Sequence, residues 1–379
     1  MVAGNAHMIH VVHVITRTNI GGPSVMLVDL INEGDHERFR HTVIRGATAN
    51  NEGDYLVDHP ISGDIITLPS LKRSLGVFNE LRSLFQVVRF LRLIRPDIVH
   101  THMAKAGVVG RCAGLIARVP VRIHTFHGHL LHGYFSPFLG RVVAFAERVC
   151  QRFTTFSLVV GEATRRDLLA ANIVNDSTSA VVLPAAKRLD RGDPMVARKE
   201  HGVPIDRIVV GFVGRLTDIK RPDRFLNLAR ELPDAHFVIF GNGPRNDSVR
   251  DEASRMDNVT VVDFSTDLAS VFGSIDLMVL TSENEGVPLS LIEAASAGIP
   301  VVSFDVGGVS EIVEDGVTGL LVRDEASLHA AVSRLVQDSV LRRTFGTKAR
   351  HDIHARFSLQ NYLAIHEGLY TRLVTRYRR

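Results

Sequence analysis

The sequence predicts an α/β fold of two Rossmann-like, parallel-sheet domains facing each other across a cleft. Three observations lead there. Short β-branched runs alternate with segments of helical period along the whole chain, which is the pattern of parallel βαβ units covered on both faces. The alternation pauses at the polar stretch Lys187 to Pro194 and restarts with Ile208 to Val213. The length of 379 residues suits two or three domains, at the soft prior of roughly 150 residues per domain. The expected division is an N-terminal domain over 1–186, a second domain over 187–358, and a helix over 359–379 that packs back towards the first.

The elements follow in order. The first strand, His10 to Ile15, runs into the tight turn Ile20-Gly21-Gly22-Pro23, and a helix from Ser24 to Ile31 follows, with Ser24 as its cap. Further strands are expected at His41 to Arg45, Ile65 to Leu68, Ile98 to Thr101, Val121 to Phe126, Thr155 to Val160 and Val181 to Leu183. Helices fill the intervals at Asn79 to Ile94, Ala106 to Ala117, Pro137 to Arg152 and Glu162 to Ala170. After the restart, strands at His236 to Phe240, Val259 to Val262, Leu277 to Leu280, Pro300 to Phe304 and Gly319 to Val322 alternate with helices, notably Pro222 to Leu232 and Leu289 to Ala297. The stretch Leu359 to Arg378 reads as one helix with a basic tip. No short-period repeat or low-complexity tract interrupts the pattern.

Composition narrows the function classes. With 45% hydrophobic and 22% charged residues, 30 Gly and no Trp, the chain is neither disordered nor collagenous. Its two cysteines, Cys112 and Cys150, have no disulfide or zinc-finger spacing and fit a reducing compartment. Charges interrupt every apolar run before it reaches the roughly 18 residues of a membrane span. Met1 to His10 lacks the features of a secretory signal. A cytoplasmic protein is therefore expected. The net charge of +3 is unevenly spread, with 13 Lys+Arg against 3 Asp+Glu between Ile65 and Thr155. Such a region favours an anionic partner, such as phosphates or lipid head groups, unless it is simply a solvated basic face. Nucleic acid is not expected, because aromatics are not interleaved with the basic region.

Ligands of open α/β sheets bind beyond the carboxyl ends of the strands, where helix N-termini direct free N–H groups at anions. Gly21 and Gly22 sit at such a place and let backbone approach a phosphate or sugar, though alone they would serve equally as a plain turn. No G-x-G-x-x-G follows either leading strand, which disfavours a nicotinamide or flavin site. Arg215 stands at the end of the strand Ile208 to Val213, and Lys220 lies five residues on. Two cations at a sheet's mouth suit a diphosphate, and alone they would read as a surface cluster.

The segment Thr281 to Pro300 is the richest. Glu285 falls in the loop after an apolar strand and is suited to accept bonds from a sugar ring, whereas Glu293 lies within a small-residue helix and needs a partner such as ribose hydroxyls, a nearby Arg or solvent. The helix start at Leu289 and Ser290, preceded by Val287 and Pro288, offers backbone amides to phosphate oxygens. His124, His127, His129 and His132 cluster at a strand's end, but without Cys or carboxylate in a zinc spacing no metal is expected. His127, beside Gly128, reads as a polar group facing the cleft, with His129 the weaker candidate.

Together these pieces resemble the family-four retaining glycosyltransferases of the GT-B fold, over essentially the whole chain. The resemblance is carried by Gly21-Gly22-Pro23, Arg95-Pro96-Asp97-Ile98-Val99-His100-Thr101-His102, Phe126-His127-Gly128-His129, Val213-Gly214-Arg215-Leu216 with Lys220, Gly241-Asn242-Gly243-Pro244, the pair Glu285 and Glu293, and Gly307-Gly308 with Glu311. It implies transfer of a hexosyl or N-acetylhexosaminyl group from a nucleotide sugar, most readily a UDP-sugar, to a glycan, lipid-linked or small-molecule acceptor, with no metal or cofactor. It further implies that Arg215 and Lys220 bind the donor diphosphate, Glu293 the ribose and Glu285 the donor sugar. His127 would face that sugar, the Gly21-Gly22 loop would lie against donor and acceptor, and Gly243 and the segment Val287 to Ser290 would line the donor site.

Two departures stand out: Leu183-Pro184-Ala185-Ala186, where a Gly after the Pro is common, and Asp263-Phe264-Ser265, where a Gly-containing turn is usual near the base. The competing readings are a non-catalytic nucleotide-sugar sensor, which would keep the same donor residues, and an epimerase or phosphorylase of the same architecture. The basic stretch including Lys72, Arg73, Arg82, Arg89, Arg92 and Arg95 would seat a lipid-linked acceptor at an anionic membrane.

Overall fold

Among the residues that the computed structural model describes (7–48, 53–72, 76–128 and 137–377), thirteen strands form two separate sheets. Arg73, His129, His132 and Arg378, on which parts of the reading above rest, lie outside the described residues. The chain divides into one unit made of Met1–Ala185 with Gln360–Arg379 and a second made of Ala186–Leu359.

The first unit carries β1 (Ile9–Ile15), β2 (Phe39–Arg45), β3 (Asp64–Thr67), β4 (Ile98–His102), β5 (Val121–Phe126), β6 (Phe156–Val159) and β7 (Ser179–Val181). They lie in the order β3-β2-β1-β4-β5-β6-β7, with every pairing parallel. The second unit carries β8 (Val209–Val213), β9 (His236–Phe240), β10 (Val259–Val262), β11 (Leu277–Leu280), β12 (Val301–Phe304) and β13 (Gly319–Val322). Their order is β10-β9-β8-β11-β12-β13, again all parallel. Each sheet thus starts at an inner strand, grows to one side and resumes on the other. Such an order creates a switch point, here between β1 and β4 and between β8 and β11, where helix-bearing loops diverge and leave room for a ligand.

Strands buried on both faces are near-continuously apolar, as β8, β9 and β11 are, with every residue buried. In the second unit Phe225, on the helix Pro222–Glu231, packs against Phe212 and Phe237 with ring centroids 5.6 and 5.3 Å away. In the first unit Val12, Val14, Ile44 and Val99 face the helices Val77–Ile94 and Ala104–Ile116. Gly110 allows close approach of the latter, since a Cβ there would stand 2.5 Å from Thr101 Cγ2. Behind that helix Arg111, fully buried, donates to Glu147 Oε2 at 2.6 Å on the helix Pro137–Gln151.

The opposite face of this sheet takes Leu27 and Ile31 of the helix Gly22–Asn32. It also takes the C-terminal helix Leu359–Tyr377, whose Tyr362 hydroxyl donates to Met26 O at 2.8 Å. No helix among the described residues is long and apolar enough to cross a membrane.

Two local expectations are corrected. The first helix begins at Gly22 with Gly21 at the N-cap, and Ser24 is no cap: it lies buried in the first turn and its hydroxyl donates to Asn19 O at 2.7 Å. Pro23 makes the earlier start possible, because a first-turn residue needs no N–H. The strand expected at Val181 to Leu183 pairs at Ser179–Val181 instead, because the ladder with β6 begins at Ser157↔Ser179.

Candidate active site

The second unit assembles its polar loops around the β8/β11 switch point. Arg215 leaves the end of β8, half-buried, after Gly214 has bonded its N–H to Phe240 O at 3.0 Å. The short 3-10 turn Asp218–Lys220 then swings to β11, where the Thr281 hydroxyl meets Lys220 O at 2.8 Å and Arg221 O at 2.9 Å, and Glu283 N meets Ile219 O at 2.8 Å. This stitching brings the Lys220 ammonium to Glu285 Oε1 at 2.5 Å, and the Ser282 hydroxyl donates to the same oxygen at 2.6 Å. The cation from one loop and the carboxylate from the other therefore form one partly buried pair, with side chains 20% and 9% exposed.

Glycines make the loop packing possible. Gly307 has φ 57°, in the left-handed region that favours glycine, and a Cβ on it would stand 1.8 Å from Glu285 O. Gly308 N donates to Gly286 O at 2.8 Å. Gly243 is pressed against the backbone of Leu216, whose carbonyl would lie 2.4 Å from an added Cβ. The Gly307-Gly308 and Gly241 to Gly243 turns thus buttress, in order, the loops that carry Glu285 and Arg215. Val287 and Pro288 are buried, and Pro288 is the N-cap of the helix Leu289–Ser296. No side chain caps that helix, so Leu289 and Ser290 begin it half-buried, and Glu293 lies one turn in, also half-buried.

In the first unit Gly21 and Gly22 follow β1. At Gly21 an added Cβ would meet nothing nearer than Asn19 Nδ2 at 3.8 Å, so its bare backbone is open to approach. His127 stands just beyond β5 and its Nε2 lies 3.1 Å from His102 Nδ1. Burial pushes the His127 imidazole down to about 3, so it is neutral at physiological pH, and its buried Nδ1 has no partner among the described residues. His124, three residues earlier, faces the other side of the sheet and bonds the Thr101 hydroxyl at 2.9 Å.

The residues that sequence reasoning missed are the histidines behind His127. His13, His41, His100 and His102 are buried on one face of the sheet, and burial holds each imidazole below its ordinary range, His41 at about 4. Nitrogens of His13, His100 and His102 lie within 4.8 Å of one another. All six are engaged: His13 with His102 and His41, His102 also with His127, and His100 with the Tyr370 hydroxyl at 2.6 Å and Thr125 Oγ1 at 2.7 Å. A metal ion there would have to displace those bonds. The signal was available, since polar side chains at alternate positions of a buried parallel strand contradict its apolar character.

Comparison with known proteins adds a second line. The family described as "Glycosyl transferases group 1" matches residues 196–352, and the "Glycosyl transferase 4-like domain" matches residues 21–186. An Escherichia coli UDP-Gal:alpha-D-GlcNAc-diphosphoundecaprenol alpha-1,3-galactosyltransferase is 28% identical over 305 residues, covering 76% of this chain and 78% of its own. The D-inositol 3-phosphate glycosyltransferase of Mycobacterium leprae is 33% identical over 277 residues, covering 67% of this chain and 62% of its own. Among solved structures, Anabaena Alr3699/HepE in complex with UDP and glucose superposes with a TM-score of 0.83 at 22% identity, covering 96% of this chain and all of that one.

Proposed function

The chain belongs to the group 1 glycosyltransferases and has their GT-B fold, and we propose that it moves a hexosyl or N-acetylhexosaminyl group from a UDP-sugar to an acceptor hydroxyl with retention and without a metal. The observation that carries this reading is the Lys220–Glu285 pair, set at the β8/β11 switch point and joined by the loop after β8 that also carries Arg215.

Departure of the nucleoside diphosphate builds negative charge on its β-phosphate. Arg215 binds it through a planar fork, Lys220 contributes a point charge, and the helix start at Leu289 and Ser290 contributes backbone N–H groups. One of the three Lys220 N–H donors goes to Glu285, which anchors the ammonium before the donor arrives. Glu293 binds the ribose, Glu285 and His127 the transferred sugar, and the Gly21-Gly22 backbone lies against donor and acceptor. Gly243 and the Val287 to Ser290 segment shape the donor site. The acceptor hydroxyl attacks the face from which the diphosphate leaves, and the departing phosphate takes its proton. Glu285 and Glu293 are not the flanking carboxylate pair of a glycoside hydrolase. A UDP-hexose or UDP-N-acetylglucosamine is favoured over GDP-mannose, in line with the UDP named for HepE and the UDP-Gal named for the E. coli relative.

The acceptor is a glycan, lipid-linked or small molecule, and a lipid-linked one is favoured by the helix Val77–Ile94. Phe78 (89% exposed), Leu81 (60%) and Phe85 (70%) recur at helical spacing on its outer side together with exposed Arg82, Arg89 and Arg92. Apolar side chains interleaved with arginines suit the head-group region of an anionic membrane at its cytoplasmic face. Co-sedimentation with phosphatidylglycerol vesicles tests this; no binding removes the membrane from the reading, and binding unaffected by Phe85→Glu and by high salt removes this helix from it.

The central test is a panel of UDP- and GDP-sugars, following nucleotide release and calorimetric binding with and without chelator. Chelator-resistant turnover of one UDP-sugar is expected. Tight binding with no release across a broad acceptor screen would point to a sensor, and absence of binding to every nucleotide sugar would overturn the donor site.

A further inference from the structure

His41 on β2, His13 on β1, His102 on β4 and His127 after β5 come from four neighbouring strands in sheet order. The register puts them on one face, because Val11↔His41, His13↔His100, Ile15↔His102 and His102↔Thr125 are partners and side chains alternate with period two. Nitrogen meets nitrogen along the row: His41 Nδ1 to His13 Nε2 at 3.0 Å, His13 Nδ1 to His102 Nε2 at 3.1 Å, and His102 Nδ1 to His127 Nε2 at 3.1 Å. Successive ring centroids are 5.2 to 5.4 Å apart and the planes tilt by 25° to 38°, as expected for imidazoles joined edge to edge.

A neutral imidazole has one N–H and one lone pair, and each link holds one proton. The row therefore has two arrangements: every histidine protonated on Nε2, or every one on Nδ1. They differ at the ends. The Nδ1 arrangement leaves an N–H on the buried Nδ1 of His127, which has no partner among the described residues, whereas the Nε2 arrangement leaves a bare lone pair there. An orphaned buried N–H is the costlier of the two. His41 Nε2, at the other end, is not among the buried atoms left without a partner.

We propose that this row is a tautomer lock: His41, His13 and His102 are positioning residues that hold His127 in its Nε2–H form, so that its Nδ1 accepts a hydrogen bond from a hydroxyl of the transferred sugar. The lock stands on the row itself; the hydroxyl contact rests on the proposed placement of His127 at the donor sugar.

The experiment is two-bond 1H–15N correlation on histidine-labelled protein without ligand, with signals assigned by single substitutions. In the native chain all four residues are expected as Nε2–H tautomers at neutral pH. His41→Phe takes the acceptor from His13 Nε2, so each arrangement then leaves one orphaned N–H, at His13 Nε2 or at His127 Nδ1; the preference is lost and His127 becomes a mixture of the two tautomers, three residues along the row. His41→Asn, whose amide oxygen accepts from His13 Nε2, restores the Nε2–H form. Finding any of the four as Nδ1–H or charged in the native protein overturns the lock without recourse to a variant, and so does a His127 that stays wholly Nε2–H in a folded His41→Phe.

Kinetics with UDP-glucose and UDP-N-acetylglucosamine test the second half. For whichever donor turns over, kcat/KM is expected to fall about twofold in His41→Phe, as the competent tautomer falls to about half, and to recover in His41→Asn. A mixed tautomer with unchanged kcat/KM keeps the lock and overturns the placement of His127 at the sugar.

Discussion

Replacing Gly307 by alanine probes the site through its scaffold, without touching a residue assigned to the donor. The new Cβ would stand 1.8 Å from Glu285 O, and contacts of that kind are essentially never found below 3.0 Å, so the Glu285 loop has to recede by about 1.2 Å. Alanine also takes up the left-handed φ of 57° at a cost of about 1–2 kcal/mol. Misplacing a reacting geometry by about 1 Å costs about 100-fold, equivalent to about 2.7 kcal/mol at 1.36 kcal/mol per decade. Gly307→Ala is therefore expected to lower kcat/KM for the donor about 100-fold and stability by about 2–5 kcal/mol, backbone penalty and collision together. Gly316→Ala is the matched control: φ is 71° there and nothing lies within 4 Å of an added Cβ. It carries the same backbone penalty and no collision, so its activity should be native. Nucleotide release at subsaturating donor and a thermal melt for each variant suffice. Activity of Gly307→Ala within threefold of the native rate, in a folded protein, refutes the idea that this glycine seats the Glu285 loop.

Other expectations come from side chains. Lys220→Ala removes the phosphate-binding cation and leaves the nearly buried Glu285 with the Ser282 hydroxyl as its remaining donor among the described residues; turnover should fall at least 100-fold with a melt lowered but cooperative, and near-native turnover removes Lys220 from the site. Arg111→Met strands the buried Glu147 carboxylate and should cost about 3–5 kcal/mol in denaturant unfolding; a loss under 1 kcal/mol contradicts that assignment. Acid should destabilise the first unit early. His41, His127 and His366 are held at about 4, 3 and 4, against 6.5 when unfolded. The unfolded chain thus binds more protons below pH 6.5, and stability falls as pH falls towards the folded values. One unit below 6.5 each group contributes a loss of about 1.4 kcal/mol, together on the order of 4 kcal/mol by pH 5.5. Calorimetry showing flat stability between pH 7.5 and 5.5 counts against the buried neutral histidines.

What could be read from the sequence was local. β5, β9, β10, β11 and β13 have the bounds expected of them, and β9 and β11, buried throughout, are written as near-continuous apolar stretches. The first helix start was misjudged because Ser24 resembles a cap and only the Asn19 carbonyl, supplied by the turn, reveals its real partner. At the site, each of Lys220 and Glu285 was a candidate by its position after a strand, but their pairing spans 65 residues and depends on β8 lying beside β11. The histidine row is harder still. Each link needs the register of a different strand pair, and β1 must lie between β2 and β4, so no window of sequence contains it.

The first unit's membership of residues from 360 onward has a consequence for synthesis. Its sheet strands are all translated by residue 181, yet the face bearing His100 stays without Tyr370, and Met26 without Tyr362, until that helix emerges. At about 5–20 residues per second the delay is roughly 10–40 s. Through that interval the ribosome carries a half-clothed sheet while the second unit, whose residues are contiguous, is free to complete itself first. The order of folding is then the reverse of the order of translation, and chaperone occupancy during synthesis should concentrate on the earlier-made half.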